Sequence, residues 1–195
     1  MSEKKINFKS DLLFPTLTLV CICLVVTLAL SGTNMLTKKK IEKLTKDNQN
    51  KSMSELIPAD EYVEFPVSGE DIDGSYKAVK DGEEIGYIFI TSSKGYGGDV
   101  SVMTAVNPDK TVKAIKILSA DDETPGLGQN VLKSDFAKQY SGLKNEITVV
   151  KNGADGNKNE VNAVTGATRS SRAVTNAVNK ALKAAQGTEG DGTDE

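Results

Sequence analysis

The chain has no histidine and no tryptophan, and its only two cysteines, Cys21 and Cys23, lie inside one apolar run. Without imidazole there can be no histidine general base, histidine-ligated metal or haem, or Ser-His-Asp triad. Outside that run there is no thiol, which excludes a disulfide, a zinc-thiolate site, an iron–sulfur cluster and a cysteine nucleophile. Neither a metal site nor a catalytic side-chain constellation is expected. Any redox chemistry here must be carried by an organic cofactor. Charge is divided along the chain. Residues 1–45 carry seven lysines against three acids, a net +4, and the remainder carries 17 basic against 24 acidic side chains, a net −7. Such a body lacks the basic footprint that nucleic acid requires, so no nucleic-acid partner is expected. At 195 residues the chain has room for one globular domain.

Charge is also missing locally. No charged residue occurs from Leu12 to Thr37, and Leu17 to Leu30 is almost wholly apolar. A run of this length spans a bilayer as a helix, and Lys38-Lys39-Lys40 follow it as a stop. An uncleaved transmembrane helix over 12–36 is expected, behind a short N-terminal segment at 1–11. A signal peptide is the competing reading, because Ala29-Leu30-Ser31 faintly resembles a cleavage site. Three lysines precede the run and at least four follow it, so charge alone slightly favours an inward-facing domain.

Beyond the anchor, residues 37–53 read as a polar helical stalk and 54–186 as the folded domain. Residues 187–195 read as a disordered acidic tail. Four runs alternate as strands: Tyr76 to Val79, Glu84 to Thr91, Val100 to Val106 and Val112 to Leu118. Their short connections imply antiparallel neighbours in a meander. A helix is expected from Val131 to Tyr140 with Phe136 as its anchor, then a short strand over Ile147 to Val150 and a loop over Gly153 to Lys158. Ala173, Val174, Ala177, Val178, Ala181, Leu182 and Ala185 recur at helical spacing and mark a final amphipathic helix. The fold class is therefore α+β, an antiparallel sheet meander with packed helices, preceded by one N-terminal transmembrane helix.

Three short segments are candidates for chemistry. Val164-Thr165-Gly166-Ala167-Thr168-Arg169-Ser170-Ser171 stands directly before the last helix. A serine or threonine helix cap is the simpler account of it. The functional account is phosphate recognition, by backbone N–H groups at the helix start, by close approach at Gly166 and by the Arg169 cation. Glu123-Thr124-Pro125-Gly126-Leu127-Gly128 follows the fourth strand, either as a plain turn or as a backbone surface for a flat ligand with Leu127 against it. Gly95-Tyr96-Gly97-Gly98 reads by itself as a hairpin turn.

Taken in order, with Ser54-Glu55-Leu56-Ile57-Pro58-Ala59 after the membrane helix, these segments resemble the FMN-binding domain shared by components of two membrane complexes. One is the G subunit of the Rnf ion-translocating oxidoreductase complex, and the other is the C subunit of the sodium-translocating NADH:quinone reductase. The likeness covers nearly the whole chain, and the compact length is closer to the Rnf component. It implies FMN joined through its phosphate to the hydroxyl of Thr168, with Thr165, Gly166, Ala167 and Ser170 around the phosphate. It further implies Glu123, Thr124, Pro125, Gly126, Leu127 and Gly128, with Tyr96, Gly97 and Gly98, near the flavin rings. A separate flavin transferase is implied for maturation, as are other membrane subunits as electron partners and an extracytoplasmic domain. Two positions depart from the family pattern. Ala120-Asp121-Asp122 stand where many relatives have a histidine before Glu-Thr-Pro-Gly, and Asn162-Ala163 stand where many have an aspartate. A stand-alone extracellular electron-transfer flavoprotein is an alternative with the same site. An anchored sensor or wall-binding domain is an alternative of another class.

Overall fold

The computed structural model describes residues 14–188 apart from 68 and 70. The expectations for residues 1–11 and for the acidic tail from residue 189 lie outside the described residues. The chain divides after Gln49 into two compact units.

The first helix, α1, runs Phe14–Leu56. Its apolar part, Phe14–Met35, has 22 residues and a mean hydropathy of 2.3. At helical rise that is roughly 33 Å, enough for a bilayer's hydrocarbon core. Its threonines hide their hydroxyls on the helix's own backbone: Thr18 donates to the Phe14 carbonyl, Thr27 to Cys23 and Thr33 to Ala29. The polar run expected to continue this helix is helical through Leu56, and Pro58 follows just beyond its end.

Five antiparallel strands follow in spatial order as in sequence: β1 Glu61–Glu64, β2 Ile72–Lys80, β3 Glu83–Lys94, β4 Asp99–Val106 and β5 Val112–Ser119. The expected meander is present, with β1 as an added edge strand. Strand alternation sorts the side chains onto two cores. Phe89, Val100, Val102, Val106, Val112 and Ile115 face one side. Ile88, Ile90, Met103 and Ala105 face the other, where Met53 and Leu56 from the end of α1 and Ile57 cover them. Both faces are thus buried, which explains why β3 reads Tyr87-Ile88-Phe89-Ile90 without polar interruption.

The last helix, α3, spans Thr168–Gly187 and closes the first core. Every apolar position expected on its inner stripe is buried. Its alanines let the backbone approach the sheet closely enough for Thr91 Oγ1 to donate to the Ala177 carbonyl at 2.8 Å.

The single helix expected over Val131 to Tyr140 is two pieces. A 3-10 turn covers Gly128–Leu132 and α2 covers Ser134–Lys138, separated by Lys133 in an extended conformation. Val131 and Phe136 are both buried, one anchor in each piece. The short strand β6, Thr148–Val150, pairs in parallel with β7, Glu160–Asn162, and the intervening loop contains a 3-10 turn at Gly156–Lys158.

Candidate functional site

Antiparallel topology puts the end of β3, the start of β4 and the end of β5 at one edge of the sheet. The loop 95–98 and the loop 120–128 therefore emerge side by side. The start of α3 arrives at the same edge, because the helix runs back from there to Thr188, where Lys110 in the opposite β4–β5 turn donates to the Thr188 hydroxyl. Three segments far apart in sequence thus meet around one cleft of about 440 Å³, lined by Tyr96, Glu123, Thr124, Leu127, Gly128, Gly166, Ala167, Arg169 and Ser170.

Glu123 holds the cleft together. It is 2% exposed. One carboxylate oxygen accepts from the backbone N–H of Tyr96 at 2.7 Å and of Gly97 at 3.1 Å. The other accepts from the Ser170 hydroxyl. Burial alone raises the affinity of this carboxylate for a proton, and the Ser170, Gly97, Tyr96 and Gly98 donors outweigh it, so its pKa lies below the ordinary value.

This packing also accounts for the glycines. A Cβ on Gly97 would stand 1.8 Å from the Asp122 carbonyl oxygen, and one on Gly128 would stand 2.5 Å from a Glu123 oxygen. Gly95 and Gly98 are crowded by Glu123 and Asp122 in the same way. Gly95-Tyr96-Gly97-Gly98 is a hairpin turn, closed by the Gly95 N–H to Gly98 carbonyl bond of 2.8 Å, and it is also the mould around a buried carboxylate. The sequence places Glu123 near a ligand but does not show this role, because the partners are 26 to 47 positions away.

The start of α3 has an unusual cap. The N-cap residue is Ala167, and no side chain caps the helix. The simple reading of this segment as a serine or threonine cap does not hold. Alanine at this position forgoes about 1 kcal/mol relative to a hydroxyl cap, and the first-turn N–H groups, beyond reach of any intrahelical carbonyl, are left for another acceptor. Ser171, fully buried, instead ties down the approaching loop: its hydroxyl accepts from the Val164 N–H and donates to the Ala167 carbonyl. Gly166 has a φ of +76°, and a Cβ there would stand 3.1 Å from a Leu127 methyl. The missing side chain of Gly166 thus leaves room for the Leu127 methyl against the motif.

The four hydroxyls of the motif are not equivalent. Those of Ser170 and Ser171 are buried and engaged by Glu123 and by the backbone. Thr165 is exposed and borders a neighbouring groove with Asn162 and Gln139. Thr168 is half-buried and is the first residue of α3. Around the cleft mouth Tyr96 and Leu127 are 69% and 47% exposed, with the Arg169 guanidinium 5.9 Å from the Tyr96 ring centroid. Of the expected site residues, Thr168 and Thr165 in the motif, Gly97 and Gly98 in the hairpin turn, and Pro125 and Gly126 in the exposed turn that presents Leu127 lie outside the cleft lining. The cleft thus offers apolar surface, flat glycine backbone, one cation and a free helix start, a donor set suited to a flat aromatic group carrying an anionic tail.

The comparisons with known proteins point to the same region of the chain. The model of the FMN-binding domain matches residues 95–183, which contain all three converging segments. Over those residues the chain is similar to the FMN-binding domain. The G subunit of the Na(+)-translocating ferredoxin:NAD(+) oxidoreductase complex of Acetobacterium woodii is 30% identical over 164 residues, 75% of this chain and 76% of that protein. The G subunit of the proton-translocating ferredoxin:NAD(+) oxidoreductase complex of Clostridium ljungdahlii is 43% identical over 77 residues, 39% of this chain and 41% of that protein. The crystal structure of NqrC from Shewanella oneidensis superposes with a TM-score of 0.51 at 26% identity, covering 57% of this chain and 56% of that one. The chain belongs to the G-subunit family of ion-translocating oxidoreductase complexes.

Proposed function

We propose that this chain is a membrane-anchored electron-carrying subunit of an Rnf-type complex, with FMN attached covalently through its phosphate to Thr168. The observation that carries the reading is the convergence of the three segments at the uncapped start of α3.

Flavin supplies one- or two-electron transfer without a protein nucleophile or metal, which suits a folded domain with neither histidine nor cysteine. The chain's own part is to hold and orient. Thr168 supplies the anchoring oxygen, and the first turn of α3 stabilises the phosphate's remaining negative charge by up to about 1 kcal/mol. Thr165, Gly166 and Ala167 shape the approach to that oxygen. Leu127, presented by Pro125 and Gly126, and Tyr96 supply apolar surface for the rings, with Thr124 and the Gly97–Gly98 backbone beside them. Attachment is the work of a separate flavin transferase. The Thr168 oxygen displaces AMP from the FMN phosphorus of FAD, and the hydroxyl proton passes to the transferase.

Phe14–Met35 serves as the anchor, and the domain lies on the extracytoplasmic side, against the slight lysine bias. Covalent attachment suits that compartment, where free FMN is dilute and a dissociable site would empty by mass action. The electron partners are other membrane subunits of a ferredoxin:NAD-linked complex.

The test is co-expression of the full chain with a flavin transferase, followed by a denaturing gel. In-gel flavin fluorescence is expected and Thr168→Ala abolishes it. Thr165→Ala keeps the band. Fluorescence retained in Thr168→Ala moves the acceptor elsewhere.

A further inference from the structure

We propose that Glu123 is an anionic positioning residue: its carboxylate assembles the cleft from three segments, and its charge holds the reduction potential of the bound flavin low. The inference rests on the reading that FMN occupies this cleft. The assembling part follows from the contacts. One buried side chain accepts from the β3–β4 turn and from the first turn of α3 while belonging to the third segment itself. No other side chain in the cleft lining makes hydrogen bonds to both of the other segments among the described residues.

The electrostatic part follows from the kind of donor. Glu123 is held by a hydroxyl and by peptide N–H groups, all neutral. Neutral dipoles hold the proton off the carboxylate but do not cancel its unit charge. Arg169, the cation of the cleft lining, packs instead over the Tyr96 ring at the mouth. A buried, uncancelled anion in the wall of the cleft opposes the arrival of further negative charge there. Adding electrons to a flavin brings such charge, so the site favours the oxidised cofactor and a lower potential.

Three substitutions in the full chain separate the two roles. Glu123→Gln keeps an acceptor for Tyr96 and Gly97 and a group able to donate to Ser170, but removes the charge. It is expected to retain covalent FMN and to raise the midpoint potential in spectroelectrochemical titration. Glu123→Ala removes the clamp and is expected to lose most of the attached flavin. Asp122→Asn removes an exposed, solvent-screened charge one residue away and leaves the potential in place. In flavin-free protein, the amide proton resonances of Tyr96 and Gly97 are expected to move upfield in both Glu123 variants and to stay put in Asp122→Asn. A Glu123→Gln potential equal to that of the unsubstituted protein overturns the electrostatic role. Unmoved Tyr96 and Gly97 amides in both variants overturn the clamp. If Glu123→Ala does not fold, Glu123→Gln still decides both points. Absence of flavin from the unsubstituted protein contradicts the proposed function itself, and the amide shifts test the clamp independently of it.

Discussion

At the residue scale the site is governed by which polar atoms already have partners. Ser170 and Ser171 look in sequence as able as Thr168 to carry a phosphate, but both are buried and already hydrogen-bonded. Glu123 also carries a pH signature. Its folded pKa lies below the ordinary carboxylate value, so its stabilising contribution is complete above that ordinary value and fades as pH falls through the folded one. Thermal melts between about pH 7 and pH 3 should therefore show Glu123→Gln destabilised at neutral pH, with the gap to the unsubstituted protein closing in acid. Gly97→Ala is a sterner test of the same contact. Its methyl would overlap a backbone oxygen, which cannot step aside as a side-chain tip can. A loss of about 3 kcal/mol in denaturant unfolding is expected, with loss of the attached flavin.

At the element scale the strands were legible because both period and burial mark them. β3, β4 and β5 carry enough β-branched and aromatic residues to be read within a few positions of their ends. β1 and β7 were not, since Glu61–Glu64 and Glu160–Asn162 are short and polar at both ends. They are strands through their partners, and pairing partners are tertiary information. The break at Lys133 was hidden for a similar reason: an apolar spacing compatible with one helix is satisfied by two anchored pieces. Side-chain amides supply further joints invisible to periodicity. Asn179 on α3 accepts from the Ile147 N–H and donates to the Ile147 carbonyl, both at 2.9 Å, fixing the approach to β6 as a neighbouring strand would. Gln139 does the same for Asn162 at the end of β7. Asn179→Ala leaves both Ile147 groups without their partner and should cost about 2 kcal/mol. Hydrogen exchange should show it as faster exchange in β6 and β7, ahead of the five-stranded sheet.

At the scale of the whole molecule, the three glycine- and threonine-bearing segments were legible as motifs, and their meeting in space was not derivable from residue pattern alone. Family resemblance brought them together in sequence terms, and antiparallel topology gives the physical reason. Two further proposals belong to this scale. An introduced cysteine at exposed Lys151, in a chain with Cys21 and Cys23 replaced, should react with an impermeant maleimide added to intact cells. Labelling only after lysis would place the domain inside, as the lysine count alone suggests. Mild detergent extraction should recover the chain with other membrane subunits of a ferredoxin:NAD-linked complex. Recovery with components of a quinone reductase would instead support the reading that the NqrC-like fold leaves open.

The covalent tether is tested most directly by intact-protein mass spectrometry on the chain purified from its native host. A mass heavier than the polypeptide by one FMN less one water, located by fragmentation on Thr168, is the expected result. A bare polypeptide mass, or the same adduct on any other residue, contradicts it.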